Sequence, residues 1–561
     1  MRRAQVLWQP TRMADTPQSG SRSRLLAAGG LLLLALVIAA VVAASGGSSG
    51  GGASPGSSRL LESELQDDQY LLARNPSTVG HTLDVLRSLG VDRVRVTVRW
   101  FDLAPENFSR SVPSGFRATD PAAYPTGVWA PFDQLVTQAR ARGIGVNFNV
   151  SAPGPLWAMA PGAPDLKAAT HWYPSPSDFG AFVEAVGKRY SGTYVPPGSG
   201  GTPLPRVSFW TIWNEPNQPG WLLPQWRAVS GSQRAVSPSN YRTLVDAAWN
   251  ALGSTGHSTR TDTVLFGDLA PEGTELQRTQ SAIPPIVFLR DLYCVGADYH
   301  PLSGGAATAL GCPGGGGSSF VSAHPALFKA TGFAHHPYSF FLPPTTPIRD
   351  QNFVPLANLS RLEHSLDSIF SSYGVGRRLP LYLTEYGYET NPPNPYRGVS
   401  LSVQAQYLDQ AQYLAWSDPR VRAMTQFLLY DSAPDLRYPR GSVRYWSTFQ
   451  TGLLFIDGTK KPSFSAYRLP IFLPDQVAQR NSSLPVWGML RAAPNRTRQQ
   501  AQIQWRAPGG GYRTLATVST SDPSGAITAH VSVPASGLLR IAWTSPGGQV
   551  FYSREAPVRV Q

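Results

Sequence analysis

Cysteine is nearly absent from this sequence. Only Cys294 and Cys312 are present, and no nearby residues give them the spacing of a metal site. In an exported protein the two could pair across a glycine-rich loop, whereas in the cytosol they would remain free thiols. The sequence therefore excludes a cysteine-based metal centre, and a disulfide is the favoured interpretation.

Charged residues are also scarce, at 15% of the chain against 42% hydrophobic residues, so most of the chain is expected to form packed structure. The net charge of +13 comes almost wholly from arginine. These arginines are scattered, whereas a nucleic-acid binder would concentrate its charge in a patch or run. We therefore expect no nucleic-acid partner.

One long run without a single charge lies near the N-terminus, at residues 25–44. Such a run is long enough to span a bilayer core of about 30 Å, and the arginines before it suit the cytoplasmic side. It predicts a transmembrane helix after a basic cytoplasmic tail at 1–24, with the bulk of the chain outside. A cleaved signal peptide, which would make the protein secreted, is the alternative. The Gly/Ser-rich residues 45–60 predict a flexible linker.

Residues 61–475 alternate between strand and helix patterns. Strand patterns occur at 63–71 (the weakest), 91–98, 144–150, 207–213, 264–269, 332–338, 379–386 and 421–430. Eight βα units of this kind predict an α/β fold, a (β/α)8 TIM barrel, with its active site at the C-terminal ends of the strands. A doubly wound sheet is the alternative, but no glycine-rich dinucleotide fingerprint follows an early strand.

The pattern of alternating strands and helices stops before residues 485–561. Short β-rich runs there are separated by Pro, Gly, Asp and Ser, which predicts a small all-β sandwich domain. We expect its role to be structural, with glycan binding as the alternative.

Two apolar strand patterns end on a glutamate, Glu215 and Glu385. Hydrolysis of a glycoside with retention of configuration needs two carboxyl groups about 5–5.5 Å apart, one as acid and base and the other as nucleophile. Strand ends across a barrel mouth can present such a pair. Asp268 and Asp431 also lie at predicted strand ends, and for them we expect substrate contact or a structural role.

Residues 213–217 (WNEPN) and 384–387 (TEYG) resemble the signatures of glycoside hydrolase clan A, the retaining barrel enzymes with glutamates on strands four and seven. The resemblance covers about residues 61–470 and is to members of families 39 and 5. It implies that Glu215 is the general acid/base and Glu385 the nucleophile.

The resemblance also implies roles for neighbouring residues. Asn214 would bind the sugar hydroxyl next to the reacting carbon, and Arg95 would keep Glu385 charged, although a structural arginine is an equal interpretation. Tyr338 would donate a hydrogen bond to Glu385, and His336 would touch substrate or Glu215. Sugar rings stack on aromatic faces, and the best candidate is Trp446 after the last strand. No third ligand accompanies the histidine pair, so neither a metal nor a cofactor is expected.

The sequence thus predicts a membrane-anchored, extracytoplasmic retaining glycoside hydrolase that cleaves O-glycosidic bonds in a polysaccharide or oligosaccharide. An arabinofuranosidase, which clan A also contains, is one alternative. A non-catalytic glycan-binding barrel of the cell envelope is another, although the intact glutamate pair argues against it. A barrel serving only as a structural spacer has no support in the sequence.

Overall fold

A closed barrel of parallel strands dominates the computed structural model, which describes residues 61–229, 231–314, 317–494 and 497–561. Each strand pairs in parallel with the next, and the last pairs with the first. In the described residues the barrel strands number eight: β1 Glu62–Gln66, β2 Arg93–Arg99, β3 Gly145–Ser151, β4 Phe209–Ile212, β5 Thr263–Leu269, β6 Gly332–His335, β7 Leu381–Tyr386 and β8 Val421–Phe427. This confirms the predicted barrel. The weakest strand pattern, at 63–71, is a strand only as far as Gln66, and Asp68–Leu71 are helical.

A helix follows every strand, as a TIM barrel requires. The principal helices are α1 Pro76–Leu89, α2 Ala130–Ala141, α3 Pro176–Arg189, α4 Ser237–Ser254, α5 Pro285–Leu292, α6 Leu359–Ser372, α7 Leu401–Ser417 and α8 Pro462–Arg468. Short helical segments fill the loops: Asp68–Leu71, Trp100–Leu103, Pro121–Ala123, Leu156–Ala158, Leu166–Ala169, Gly304–Ala309, Ser318–Ala323, Pro325–Lys329 and Leu356–Asn358.

Local sequence fixes the helix ends. At the start of α1 the Asn75 side chain accepts a hydrogen bond from the backbone N–H of Ser77, and Pro76 occupies the first turn. Gly90 ends the helix with φ of 78°, a left-handed conformation that glycine adopts at low cost. Its neighbour β2 then begins after a three-residue turn.

The barrel strands place apolar side chains toward the surrounding helices and polar side chains in the barrel interior, where a polar site can form. In β2, Val94, Val96 and Val98 are fully buried in the core shared with the surrounding helices. Because side chains alternate along a strand, Arg95 and Thr97 face the other way, into the barrel. Arg95 is completely buried there, so its charge must be met by groups inside the barrel.

The C-terminal region forms two further sheets. One contains Ile471–Phe472, Ser483–Met489 and Ala526–Ser532; the other contains Val477–Ala478, Gln499–Arg506, Arg513–Thr520, Gly537–Thr544, Val550–Tyr552 and Ala556–Val560. Their buried residues make a second core separate from that of the barrel. The first strand starts at Ile471, upstream of the expected boundary at 485, because it pairs antiparallel with Ser483–Met489. An ion pair of 2.6 Å between Arg554 and Asp409 of α7 ties the sheets to the barrel.

Short two-stranded sheets lie in the barrel loops and pair Trp226–Val229 with Ser232–Ala235, and Thr390–Asn391 with Val399–Ser400. The loop after α5 carries a disulfide between Cys294 and Cys312. The α4 side chain of Arg242 donates hydrogen bonds to the carbonyls of Leu292 and Gly311 beside that bridge, so the loop is fixed to the barrel wall.

The predicted single-pass membrane location is wrong for the part of the chain that the structure describes. No helix in that part is long and apolar enough to cross a bilayer. The longest, α4, has 18 residues and includes Arg242 and Asp246, whereas a span needs about 20 predominantly apolar residues. The expected tail at 1–24, membrane segment at 25–44 and linker at 45–60 lie outside the described residues.

Candidate active site

The two predicted glutamates lie together at the C-terminal end of the barrel. Glu385 is in β7, and Glu215 follows β4 by three residues. The Nδ1 atom of His336 lies 2.9 Å from Glu215 Oε1 and 3.5 Å from Glu385 Oε2. These three ligand atoms are all within 4.8 Å of one another. Both carboxyl side chains keep about a tenth of their surface exposed (12% and 11%), so a substrate can reach them.

Arg95 connects Glu385 to the floor of the site. Its Nη1 donates to Glu385 Oε1 at 2.8 Å and to Gln66, while its Nη2 donates to Asn214 Oδ1 at 2.8 Å and to Asp268 Oδ2 at 2.5 Å. Burial would lower the pKa of Arg95, but Asp268 and Glu385 raise it, so the guanidinium stays charged. Of the two interpretations of Arg95 drawn from the sequence, the one that places it on Glu385 matches this geometry.

His336 is a second buried cation. Burial would lower its pKa from 6.5, but Glu385 and Asp268 outweigh burial and raise it to about 10. As an imidazolium it donates to Glu215, and its Nε2 lies 3.1 Å from Asp268 Oδ1. The neighbouring His335 is different, since burial lowers its pKa to about 4 and its Nε2 donates to the carbonyl of Val354. Only the second histidine of the pair therefore carries charge.

Glu215, His336 and Glu385 have the composition of a metal site, and their spacing would admit a cation. The two ring nitrogens of His336 lie 2.9 Å from Glu215 Oε1 and 3.1 Å from Asp268 Oδ1, and Glu385 already accepts from Arg95 at 2.8 Å and from the Tyr338 hydroxyl at 3.0 Å. The donor set fits hydrogen-bonding chemistry better than metal binding.

Tyr338 completes the surroundings of Glu385. Its hydroxyl donates to Glu385 Oε2, and its ring lies nearly parallel to Tyr386, with centroids 6.3 Å apart. Burial raises the pKa of Tyr338 well above its usual value, with the charge of Glu385 adding to the effect, so the hydroxyl keeps its proton. It therefore acts as a permanent donor to the carboxylate.

The backbone is strained where these side chains leave the strands. Trp213, Glu215 and Asp268 have φ values of 66°, 37° and 51°, in the region that favours glycine. Such residues cost about 1–3 kcal/mol each and cluster at functional sites. Hydrogen bonds hold the strained segments together: Glu215 N–H donates to the Asp268 carbonyl at 3.0 Å, and Asn149 Nδ2 donates to the Trp213 carbonyl at 2.8 Å.

The sequence patterns did not identify every residue of the site. Asn149 and Gln66, polar residues in the middle and at the end of buried strands, were not predicted, whereas Asp268 was expected at a strand end with substrate contact or a structural role. A polar residue in a buried strand is the signal that could have found them. Trp446, expected to stack on sugar, lies in the loop after β8 with its ring edge-on to Tyr445 at 4.9 Å. The described contacts of Trp446 do not place it against either carboxylate.

The charge of His336 leads to a pH prediction. Because its pKa is raised on folding, its charge stabilises the protein fully below about pH 6.5, and this contribution is lost as pH rises through about 10. We expect the difference in unfolding free energy between wild type and His336→Asn to shrink over that interval in urea titrations. His335→Asn is the matched control, since His335 is neutral throughout and its difference should stay constant. A His336 difference that does not change with pH would contradict the assigned charge.

No family model and no curated protein matches the sequence. Similar solved structures include a family 39 glycoside hydrolase from the gut symbiont Bacteroides cellulosilyticus WH2, 15% identical with a TM-score of 0.44, which covers 85% of this chain and 81% of that one. GH5_18 from Streptomyces cattleya in complex with GlcNAc is 16% identical with a TM-score of 0.42, covering 73% and 80%. A family 1 β-glucosidase from Thermotoga maritima is 12% identical with a TM-score of 0.43, covering 73% and 96%.

These three structures are those of glycoside hydrolases.

Proposed function

We propose that this protein is a retaining glycoside hydrolase that cleaves O-glycosidic bonds in a polysaccharide or oligosaccharide. The observation that carries the proposal is the short separation of the two carboxyl groups, which bring an oxygen of Glu215 and an oxygen of Glu385 within 4.8 Å. Retaining enzymes place these groups about 5–5.5 Å apart, whereas inverting enzymes need about 6.5–9.5 Å to admit a water molecule. The observed spacing favours double displacement.

In the first step, Glu385 attacks the anomeric carbon and forms a covalent ester with the sugar. The bond from that carbon to the leaving oxygen breaks, and Glu215 gives its proton to the departing alcohol. In the second step, Glu215 takes a proton from water, the water oxygen attacks the same carbon, and Glu385 is released as a carboxylate. Two inversions give net retention.

The hydrogen bonds of each glutamate indicate which one is the nucleophile and which one is the general acid/base. Glu385 accepts from the Arg95 guanidinium and the Tyr338 hydroxyl, and both donors stabilise an ionised carboxylate. A nucleophile must be ionised, so Glu385 takes that role. Glu215, whose described side-chain partner is His336, takes the role of acid and base.

The charges of the site agree with this division. Burial raises the pKa of Glu385, the cations His336 and Arg95 oppose the rise, and Glu215 adds to it. Burial alone would raise the pKa of Asp268, but Arg95 and His336 lower it to about 2. With Glu215 carrying the proton that its role as acid requires, the charges of Asp268 and Glu385 balance those of Arg95 and His336.

We assign the activity to the barrel domain, residues 61–475, because every residue of the site comes from its strands or from the loops that follow them. Asn214 is placed to bind the sugar hydroxyl beside the reacting carbon, since its Oδ1 accepts from Arg95 and its amide N–H groups make no hydrogen bond within the described residues. For residues 485–561 we propose a structural role.

A mechanism-based label tests the proposal. The full-length protein is screened with a panel of aryl glycosides, and we expect at least one to release its aryl alcohol with retained configuration by NMR. The 2-deoxy-2-fluoro analogue of that substrate should then trap the ester, so that peptide mass spectrometry finds the added mass on the peptide containing Glu385. An inverted product, or a label on a different residue, would overturn the assignment.

A further inference from the structure

Asp268 touches more of the site than either glutamate does. Its Oδ2 accepts from Arg95 at 2.5 Å and from Asn149 at 3.0 Å, and its Oδ1 accepts from Thr384 at 2.5 Å and lies 3.1 Å from His336 Nε2. Its side chain is completely buried, so it cannot itself meet a substrate. Asp268 therefore acts through its neighbours.

Those neighbours lead to both catalytic carboxyl groups. From one Asp268 oxygen the path runs through Arg95 to Glu385, and from the other through His336 to Glu215. The Asp268 carbonyl also accepts the backbone N–H of Glu215 at 3.0 Å, which fixes the strained turn that carries the acid. One residue on β5 is thus connected to the carboxyl group in the loop after β4 and to the one on β7.

We propose that Asp268 is a positioning residue that holds Arg95 and His336 in place and, through them, sets the spacing and charge of Glu215 and Glu385. The proposal rests on the glycosidase function proposed above. A carboxylate is required because it accepts from all four partners at once, whereas an amide would present a donor group to one of two cations. The backbone at Asp268 is strained, with φ of 51°, and this conformation aims its side chain at Arg95 and His336.

The structure offers a matched control at the other end of β5. Asp262 is also buried, and its side chain accepts from Arg206 at 2.7 Å, from Thr261 at 2.6 Å and lies 3.1 Å from His257 Nδ1. It has the same kinds of partner as Asp268 but lies before the N-terminal end of the strand, away from both glutamates. Asp262→Asn and Asp268→Asn thus remove the same charge from similar surroundings.

The groups around His336 determine how the loss of the Asp268 charge affects its protonation. Three anions face it: Glu215 from the loop after β4, Glu385 from β7 and Asp268 from β5. His335 and Tyr338 flank it on its own segment, and Arg95 reaches Glu385 and Asp268 from β2. Removing the Asp268 charge takes one anion from beside His336 and from the neighbourhood of Glu385. His336 then loses its proton at lower pH, and the alkaline limb of the activity profile moves in the same direction, whereas Glu385, which acts in its ionised form, bears on the acid limb.

The test compares Asp268→Asn with Asp262→Asn in the full-length protein. We expect Asp268→Asn to lower kcat about a hundred-fold, since small misplacements of catalytic groups have effects of that order, with little change in KM. Its alkaline limb should move to lower pH, while Asp262→Asn keeps the wild-type profile. An Asp268→Asn profile identical to wild type would overturn the proposal.

A second measurement does not depend on activity. The titration of His336 is followed by NMR of the protein labelled at histidine, with His336→Asn assigning its signal, and we expect Asp268→Asn to lower the pKa of His336. If the wild type cleaves no glycoside but this shift is seen, the proposed function fails and the positioning role stands; an unchanged titration would reject the role. Should Asp268→Asn fail to fold, Thr384→Val removes one donor to Asp268, and unchanged kcat in that variant would also overturn the proposal.

Discussion

Glu385→Ala is expected to lower kcat for an aryl glycoside about ten-thousand-fold or more, because loss of a nucleophile removes the covalent route altogether. Azide should restore part of the activity by occupying the space left by the carboxylate. It would attack the anomeric carbon from the side of the missing Glu385 and give a glycosyl azide of inverted configuration. Kinetics with and without azide, and NMR of the product, measure both effects.

Glu215→Ala should behave differently. A general acid contributes about 10²–10⁴-fold, and it matters less when the leaving group departs without a proton. We therefore expect a small effect on substrates with strongly activated leaving groups and a large one on substrates with poor leaving groups. Azide would then attack the glycosyl-enzyme ester and give an azide of retained configuration.

Glu389→Ala is the control for both changes. Glu389 lies four residues beyond Glu385, in the loop after β7, and its carboxyl group accepts from Asn394, outside the site. Its variant should keep wild-type activity and show no response to azide. Activity that survives both Glu385→Ala and Glu215→Ala would exclude the proposed mechanism.

The barrel was predictable because its strands and helices have different periods. In β2 the alternation of valine with polar residues separates an outer apolar face from an inner polar one, and the structure places Arg95 on the inner face. The glutamates were predictable because an apolar run that stops on a carboxylate places it at the barrel mouth. The structure has both Glu215 and Glu385 at the C-terminal ends of barrel strands, where the strand pattern predicted them.

Other features depend on contacts that a pattern cannot show. Asp268 and Asp431 look alike in sequence, since each is an acidic residue at the end of an apolar run. The structure gives them different partners: Asp268 meets Arg95 and His336, whereas Asp431 meets Lys461, far along the chain. Tryptophans after strands are equally ambiguous, and Trp100 is fully buried against Phe182. The partner that each side chain contacts depends on how the strands close into the barrel. The roles of Asp268, Asp431 and Trp100 therefore could not be derived from local sequence.

Lys461→Met is expected to destabilise the protein by about 3–5 kcal/mol, because it leaves a buried carboxylate without its cation. Lys461 Nζ lies 2.6 Å from Asp431 Oδ1 and donates to the hydroxyl of Thr390 and the carbonyl of Gln450. The two side chains are almost completely buried (0% and 2% exposed), so water cannot replace the lost partner. The pair links the segment after β8 to the loop after β7. Denaturant midpoints compared with wild type measure the loss.

The adjacent Lys460 provides the control. Its side chain is exposed and its ammonium lies over the ring of Phe464. Lys460→Met therefore removes the same charge without leaving a buried carboxylate unpaired. We expect its midpoint to stay close to wild type, since surface substitutions change stability by about 0.5 kcal/mol or less. The double variant Lys461→Met/Asp431→Leu should recover part of the loss, because it removes the unpaired carboxylate as well. If the double variant were less stable than Lys461→Met alone, the cost would come from lost packing, and the buried ion pair would not explain how these loops are held together.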